Sequence, residues 1–203
     1  MSAKLEGTTH HIMAINLQKG QRIELGFTKM TIGLGWDPNE GMGYDFDLDA
    51  SAIMIGSDRK LIGEEYFVFY NNLNSPDGAL THTGDDPSGK NSDGDDDEAI
   101  ILDLEKVDPR VEEILFVVTI EDFERRKQNF GQVRNSYIRI IDNLTHQEIA
   151  KYELDEDFSI ETGIEFGRLY KRGGSWKFEA SGIGYRADLG FFLEKYYKGQ
   201  IIK

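Results

Sequence analysis

Short apolar runs closed off by turn residues recur along almost the whole chain, and this punctuation constrains the fold more than any other feature. Residues 12–17, 22–27, 31–34, 46–55, 66–70, 99–104, 114–120, 137–141, 148–154, 165–171 and 176–181 read as strands. The pair Gly173-Gly174 separates the last two, and a two-residue primed turn needs positive φ at both central positions, so a hairpin is expected there. Helices are few. Residues 121–127 place acids first and Arg125, Arg126 and Lys127 last, which complements a helix dipole. Asp108-Pro109 offers an N-cap and a first-turn proline for a helix of about a turn or two. Residues 188–197 space Leu189, Phe192, Leu193 and Tyr196 as an amphipathic helix does. The pattern predicts a mainly β protein, a β-sandwich with a few short helices. Residues 1–11 read as a flexible N-terminus and 12–203 as one domain.

Composition removes several classes of function. The 203 residues include no cysteine, which excludes disulfides, thiolate metal sites and cysteine nucleophiles. With 23 Lys and Arg against 37 Asp and Glu the net charge is −14, so no general affinity for nucleic acid is expected. No run of 18 apolar residues is present, so no transmembrane segment is expected, and membrane association would come only through partners. The first residues carry no apolar signal region, and a cytoplasmic location is expected.

The acids are unevenly placed. Residues 85–98 hold seven acids (Asp85, Asp86, Asp93, Asp95, Asp96, Asp97, Glu98) and one base, Lys90. Such a run is ordinarily a solvated loop. A second cluster argues for more. In residues 44–55 the side chains alternate, so that Phe46, Leu48, Ala50, Ala52 and Met54 share one face of a strand and Asp45, Asp47 and Asp49 the other. Carboxylates about 7 Å apart repel by about 0.6 kcal/mol in water and about 2.4 kcal/mol at an effective dielectric of 20. Three in a row need counter-charge, full solvation or a bound proton. The acid face turns apolar at Ile53 and Ile55, so the acids gather at one end of a largely buried strand.

The strand at 66–70 ends in Asn71-Asn72, whose amide oxygens suit calcium. Oxygen-only ligands favour a hard cation, with Ca2+ ahead of Mg2+ because many ligands sit on loops. An EF-hand is excluded. Counted from Asp45, Ala50 stands where glycine is required and Gly56 where glutamate is required; counted from Asp93, the last position is Leu104. Any site is discontinuous in sequence.

The segments Gly33-Leu-Gly-Trp-Asp37, Asp45-Phe-Asp-Leu-Asp-Ala-Ser51, Phe67-Val-Phe-Tyr-Asn-Asn72, His82-Thr-Gly-Asp85, Gly94-Asp-Asp-Asp-Glu98, Val118-Thr-Ile120, Arg126-Lys-Gln-Asn-Phe-Gly-Gln-Val133 and Gly174-Ser-Trp-Lys-Phe178 occur in this order. Together they resemble the TerD family of tellurium-resistance and general-stress proteins. The resemblance implies a β-sandwich that binds Ca2+ through acidic loops and acts beside other products of a stress or tellurium-resistance operon. It carries calcium ligation onto Asp45, Asp47, Asp49, Asn71, Asn72, Asp85, Asp95, Asp97 and Glu98. One ion takes six to eight oxygens, so two ions are expected.

The function expected is a non-enzymatic, calcium-dependent binding or scaffold module of the stress response. Two alternatives stand beside it: a metal-dependent phosphoester hydrolase, and a sandwich that binds a small molecule through bridging calcium. A triad of Ser51, His82 and an aspartate lacks the nucleophile-elbow context. The basic island at Arg125, Arg126 and Lys127 reads as helix-end charge or as a docking point for an acidic partner.

Overall fold

A computed structural model describes residues 14–84, 96–154, 158–197 and 199. In chain order the strands are β1 (Ile15–Asn16), β2 (Arg22–Glu24), β3 (Lys29–Gly35), β4 (Leu48–Gly56), β5 (Phe67–Val68), β6 (Leu80–His82) and β7 (Glu98–Asp103). They continue as β8 (Val111–Ile120), β9 (Tyr137–Asp142), β10 (Gln147–Glu153), β11 (Gly163–Arg172), β12 (Ser175–Glu179) and β13 (Ile183–Tyr185). Helix α1 (Phe123–Arg126) follows β8, and α2 (Leu189–Tyr196) follows β13. The first sheet runs β1-β10-β9-β3-β7-β6 and the second β2-β12-β11-β8-β4-β5, with β13 also against β11. Strands β1 and β10 pair in parallel. The other pairs are antiparallel.

The period-two pattern explains the sandwich. Met30, Ile32 and Leu34 of β3, with Ile100 and Leu102 of β7, point one way and are almost wholly buried. They meet Leu48, Ala50, Ala52 and Met54 of β4 and Ile114, Phe116, Val118 and Ile120 of β8. Each large aliphatic side chain so buried contributes about 1.5–3 kcal/mol.

Strand β4 is buried along its whole length, on both faces. On the outer face of the same sheet, α2 packs against β11. Glu165 shares a cross-strand row with Val117, and Val117 with Ser51. The Glu165 carboxylate accepts hydrogen bonds from Tyr196 (2.8 Å) and from Lys195 of that helix. One row nearer the acid end, the ring of Phe192 lies where a Cβ on Gly163 would stand, 2.9 Å from it, so a side chain there would displace the helix. The Asp188 side chain caps α2 by accepting from the Phe191 amide at 2.9 Å.

The Gly173-Gly174 hairpin forms as the sequence implies, with φ of 64° and 83°. Asp108-Pro109 does not start a helix. The Asp108 carboxylate accepts from the Arg110 amide at 2.9 Å, its carbonyl accepts from Val111, and β8 begins at once. A local aspartate turn followed by β-branched residues outcompetes the helix. The helix expected over 121–127 shrinks to the four residues of α1. Strands β6 and β13 escape the sequence reading because Leu-Thr-His and Ile-Gly-Tyr form no apolar run. Residues 1–11 lie outside the described residues.

Candidate metal-binding rim

Strand β5 covers β4 only at Ala52 and Ile53, so the edge-facing backbone groups of Ala50 meet no strand. Side chains from the opposite sheet replace it. Glu98 Oε2 accepts from the Ala50 amide at 2.8 Å, and His82 Nε2 lies 3.0 Å from the Ala50 carbonyl. The Gly84 amide donates to His82 Nδ1 at 3.0 Å, which assigns the ring proton to Nε2 and makes it the donor to Ala50. Both side chains are fully buried. Glu98, at the start of β7, and the acid end of β4 are thereby brought to one rim of the sandwich.

Two further ties hold that rim. Asp97 accepts from the Trp36 amide at 2.9 Å, while the Trp36 indole donates to the Phe46 carbonyl at 3.2 Å. Asp96 accepts from Arg139 Nε at 2.8 Å. Asp96 lies over Gly33, where an added Cβ would stand 2.0 Å from its carboxylate, and the Tyr137 ring lies over Gly35 at 2.5 Å. The two glycines of the Gly-Leu-Gly-Trp motif therefore make room for these side chains. Burial, then the Asp96 carboxylate, pushes the Tyr137 hydroxyl up to about 12.

On the β4 side, Asp47 accepts from Arg126 Nη1 at 3.1 Å, and its carbonyl accepts from the Glu121 amide at 2.9 Å. Local desolvation, then the Asp47 carboxylate, holds Glu121 above the usual carboxylate range against the pull of Arg126. Gln128, nine-tenths buried, donates to the carbonyls of Tyr44 (3.0 Å) and Asp45 (3.1 Å). Arg125 stacks on the Tyr44 ring at 4.9 Å. The basic island thus clamps the acid segment from outside. The sequence placed no role in the acidic rim on Arg126, Gln128 or Trp36, although each falls within a motif of the resemblance.

The nine expected ligands are distributed as follows. Asp49 is 3% exposed and stands on the α2 side of the second sheet, directly across from Thr119. Asp45 and Asp47 precede it toward the rim. Glu98 and Asp97 approach from the other sheet. Asn71 is exposed in the turn after β5, and the Asn72 amide nitrogen is spent on the carbonyls of Glu65 (3.0 Å) and Phe67 (2.7 Å). Asp85 and Asp95 lie outside the described residues. Among the described residues no three His, Asp or Glu side chains gather as a metal shell. The oxygens at the rim are nonetheless carboxylates, amides, hydroxyls and carbonyls, the donors a hard cation takes. Ser51 and His82 form no dyad. Ser51 Oγ has no hydrogen-bond partner among the described residues, and His82 Nε2 serves Ala50.

This combination defines a class: a two-sheet β-sandwich in which the acid end of one strand meets the acids Asp97 and Glu98 of the other sheet at one rim. The TerD domain matches residues 13–196, and the chain belongs to the TerD family. It is 48% identical over 190 residues to the uncharacterized protein YceE of Bacillus subtilis, covering 91% of this chain and 98% of that one. It is 44% identical to the tellurium resistance protein TerD of Serratia marcescens, covering 91% and 97%. Identity to general stress protein 16U of B. subtilis is 43%, covering 87% and 94%. The fold is also that of a solved homologue of telluride resistance protein TerD from Streptomyces coelicolor, with a TM-score of 0.70, 19% identity and coverage of 82% and 95%. Among the described residues no helix is long and apolar enough to cross a membrane.

Proposed function

We propose that this protein is a calcium-binding module of the tellurium-resistance and stress response, acting by calcium-dependent binding to other proteins of that response and not by catalysis. The observation that carries the reading is the 2.8 Å hydrogen bond from the Ala50 amide to Glu98, which joins two acid-bearing segments 48 residues apart at one rim. Asp47, Asp49 and Glu98 are each less than a tenth exposed. Buried carboxylates are costly without counter-charge, and Arg126 pairs with Asp47. Divalent ions would add positive charge at this rim through Asp45, Asp47 and Asp49, with oxygens from the segment before Glu98.

Calorimetric titration of Ca2+ into the metal-free full-length protein tests the proposal. Heat of binding, accompanied by a melting temperature that rises with free Ca2+, is expected. Absence of both at millimolar calcium overturns it.

A further inference from the structure

Three buried oxygen-bearing side chains stand together on the α2 face of the second sheet. Asp49 and Thr119 are direct cross-strand partners, and Ser51 follows Asp49 two residues along the same face. Directly opposed side chains in an antiparallel pair have Cβ atoms about 4.5–5.5 Å apart, and same-face neighbours on a strand lie about 7 Å apart. Ser51 is 0% exposed and Thr119 1%. Neither hydroxyl oxygen has a hydrogen-bond partner among the described residues. Beyond them Ile53, Leu115 and Val117 continue the face of β4 and β8 at 2% exposure or less, and Glu165, across from Val117 on β11, is held by Tyr196 and Lys195 of α2.

A buried hydroxyl without a partner costs roughly 1–3 kcal/mol. Alanine and valine would pack the same places without that cost. Two such hydroxyls beside one carboxylate point to a ligand that takes oxygen atoms. We infer that Ser51 and Thr119 are oxygen donors, alongside Asp49, to a hard divalent cation seated on this face of β4 and β8. The inference rests on the calcium reading above and extends its site to two neutral side chains. One carboxylate and two hydroxyls leave coordination positions for water and for Asp47, which lies nearer the open rim. Neutral donors beside a single carboxylate suit calcium, whose six to eight oxygen ligands need not all be charged.

The experiment measures Ca2+ binding and thermal stability of the full chain for the parent, Ser51→Ala and Thr119→Val, each with chelator and with calcium. If the parent takes up no calcium, the calcium reading itself fails. If the parent binds, each variant is expected to weaken calcium affinity by about tenfold or more, or to lose one ion from the stoichiometry. In chelator the same variants are expected to melt at or above the parent, because an unpartnered hydroxyl has been removed. Thr119→Ser, which keeps the oxygen and loses the methyl, is expected to bind calcium as the parent does, even where Thr119→Val folds poorly. Unchanged affinity and stoichiometry in both deletion variants overturns the inference and leaves the calcium reading standing; the hydroxyls then serve a trapped water. A lower melting temperature in chelator for both variants, with affinity unchanged, also overturns it.

Discussion

His82 Nε2 and Glu98 Oε2 lie 3.5 Å apart with both side chains fully buried, and between them they complete the hydrogen bonding of Ala50. The pair does the work of a strand that β5 is too short to provide. Glu98→Ala removes the acceptor for a buried amide and leaves a void, and it is expected to destabilise the fold by about 2–4 kcal/mol. Glu98→Gln keeps a carbonyl oxygen for the same amide and is expected to retain most of the stability. Urea unfolding of both variants checks this. An equal loss in the two would mean that charge, not the hydrogen bond, holds the rim.

Gly33 and Gly35 give a second prediction. Side chains at these positions would collide with Asp96 and with the Tyr137 ring. Gly33→Ala displaces the end of a movable carboxylate, whereas Gly35→Ala meets a ring held in the sheet. Both are expected to destabilise, by about 1–3 kcal/mol, with Gly35→Ala the worse. Thermal melts compare them directly; a neutral Gly35→Ala would show that the Tyr137 ring moves freely.

The same ring predicts a pH dependence. Burial and Asp96 raise Tyr137 from 10.0 to about 12. The folded state holds this proton more tightly than the unfolded chain, so the contribution to stability is complete below pH 10 and is lost as pH rises toward 12. An absorbance titration of tyrosinate is expected to show a late-titrating hydroxyl that disappears in Tyr137→Phe. In Asp96→Asn it should titrate earlier, because the Asp96 carboxylate, which helps raise it, is gone.

Most of the fold is legible in the sequence because burial writes itself as periodicity. The alternation at 44–55 gives the strand, its inward face and the change from acid to apolar at Ile53. The Gly-Gly pair gives its hairpin, and the spacing of Phe192 and Tyr196 gives α2. What stays hidden is long-range. Nothing local says that Glu98 and His82 substitute for a strand beside Ala50, or that Thr119, inside an apolar run, stands across from Asp49. Asp108-Pro109 misleads because an N-cap and an aspartate turn use the same side-chain bond to the backbone. The acids of the rim are readable one by one. Their partition between the two sheets, with Asp49 on the outer face of the second sheet and Glu98 reaching in from the first, depends on register and topology.

Arg126 and Asp47 carry the last prediction. Their 3.1 Å ion pair is more than four-fifths buried at both side chains. Without metal, Arg126 is a counter-charge for a carboxylate that the proposed ion would also claim. Arg126→Met leaves the Asp47 carboxylate without that guanidinium in a poorly solvated place, and in chelator it is expected to cost about 1–3 kcal/mol. With calcium present the ion replaces the missing positive charge, so the variant is expected to regain more stability from calcium than the parent does. Chemical unfolding of both proteins with chelator and with saturating calcium measures the two differences. An equal gain in parent and variant would separate Asp47 from the ion, and would confine calcium to the remaining oxygens of the rim.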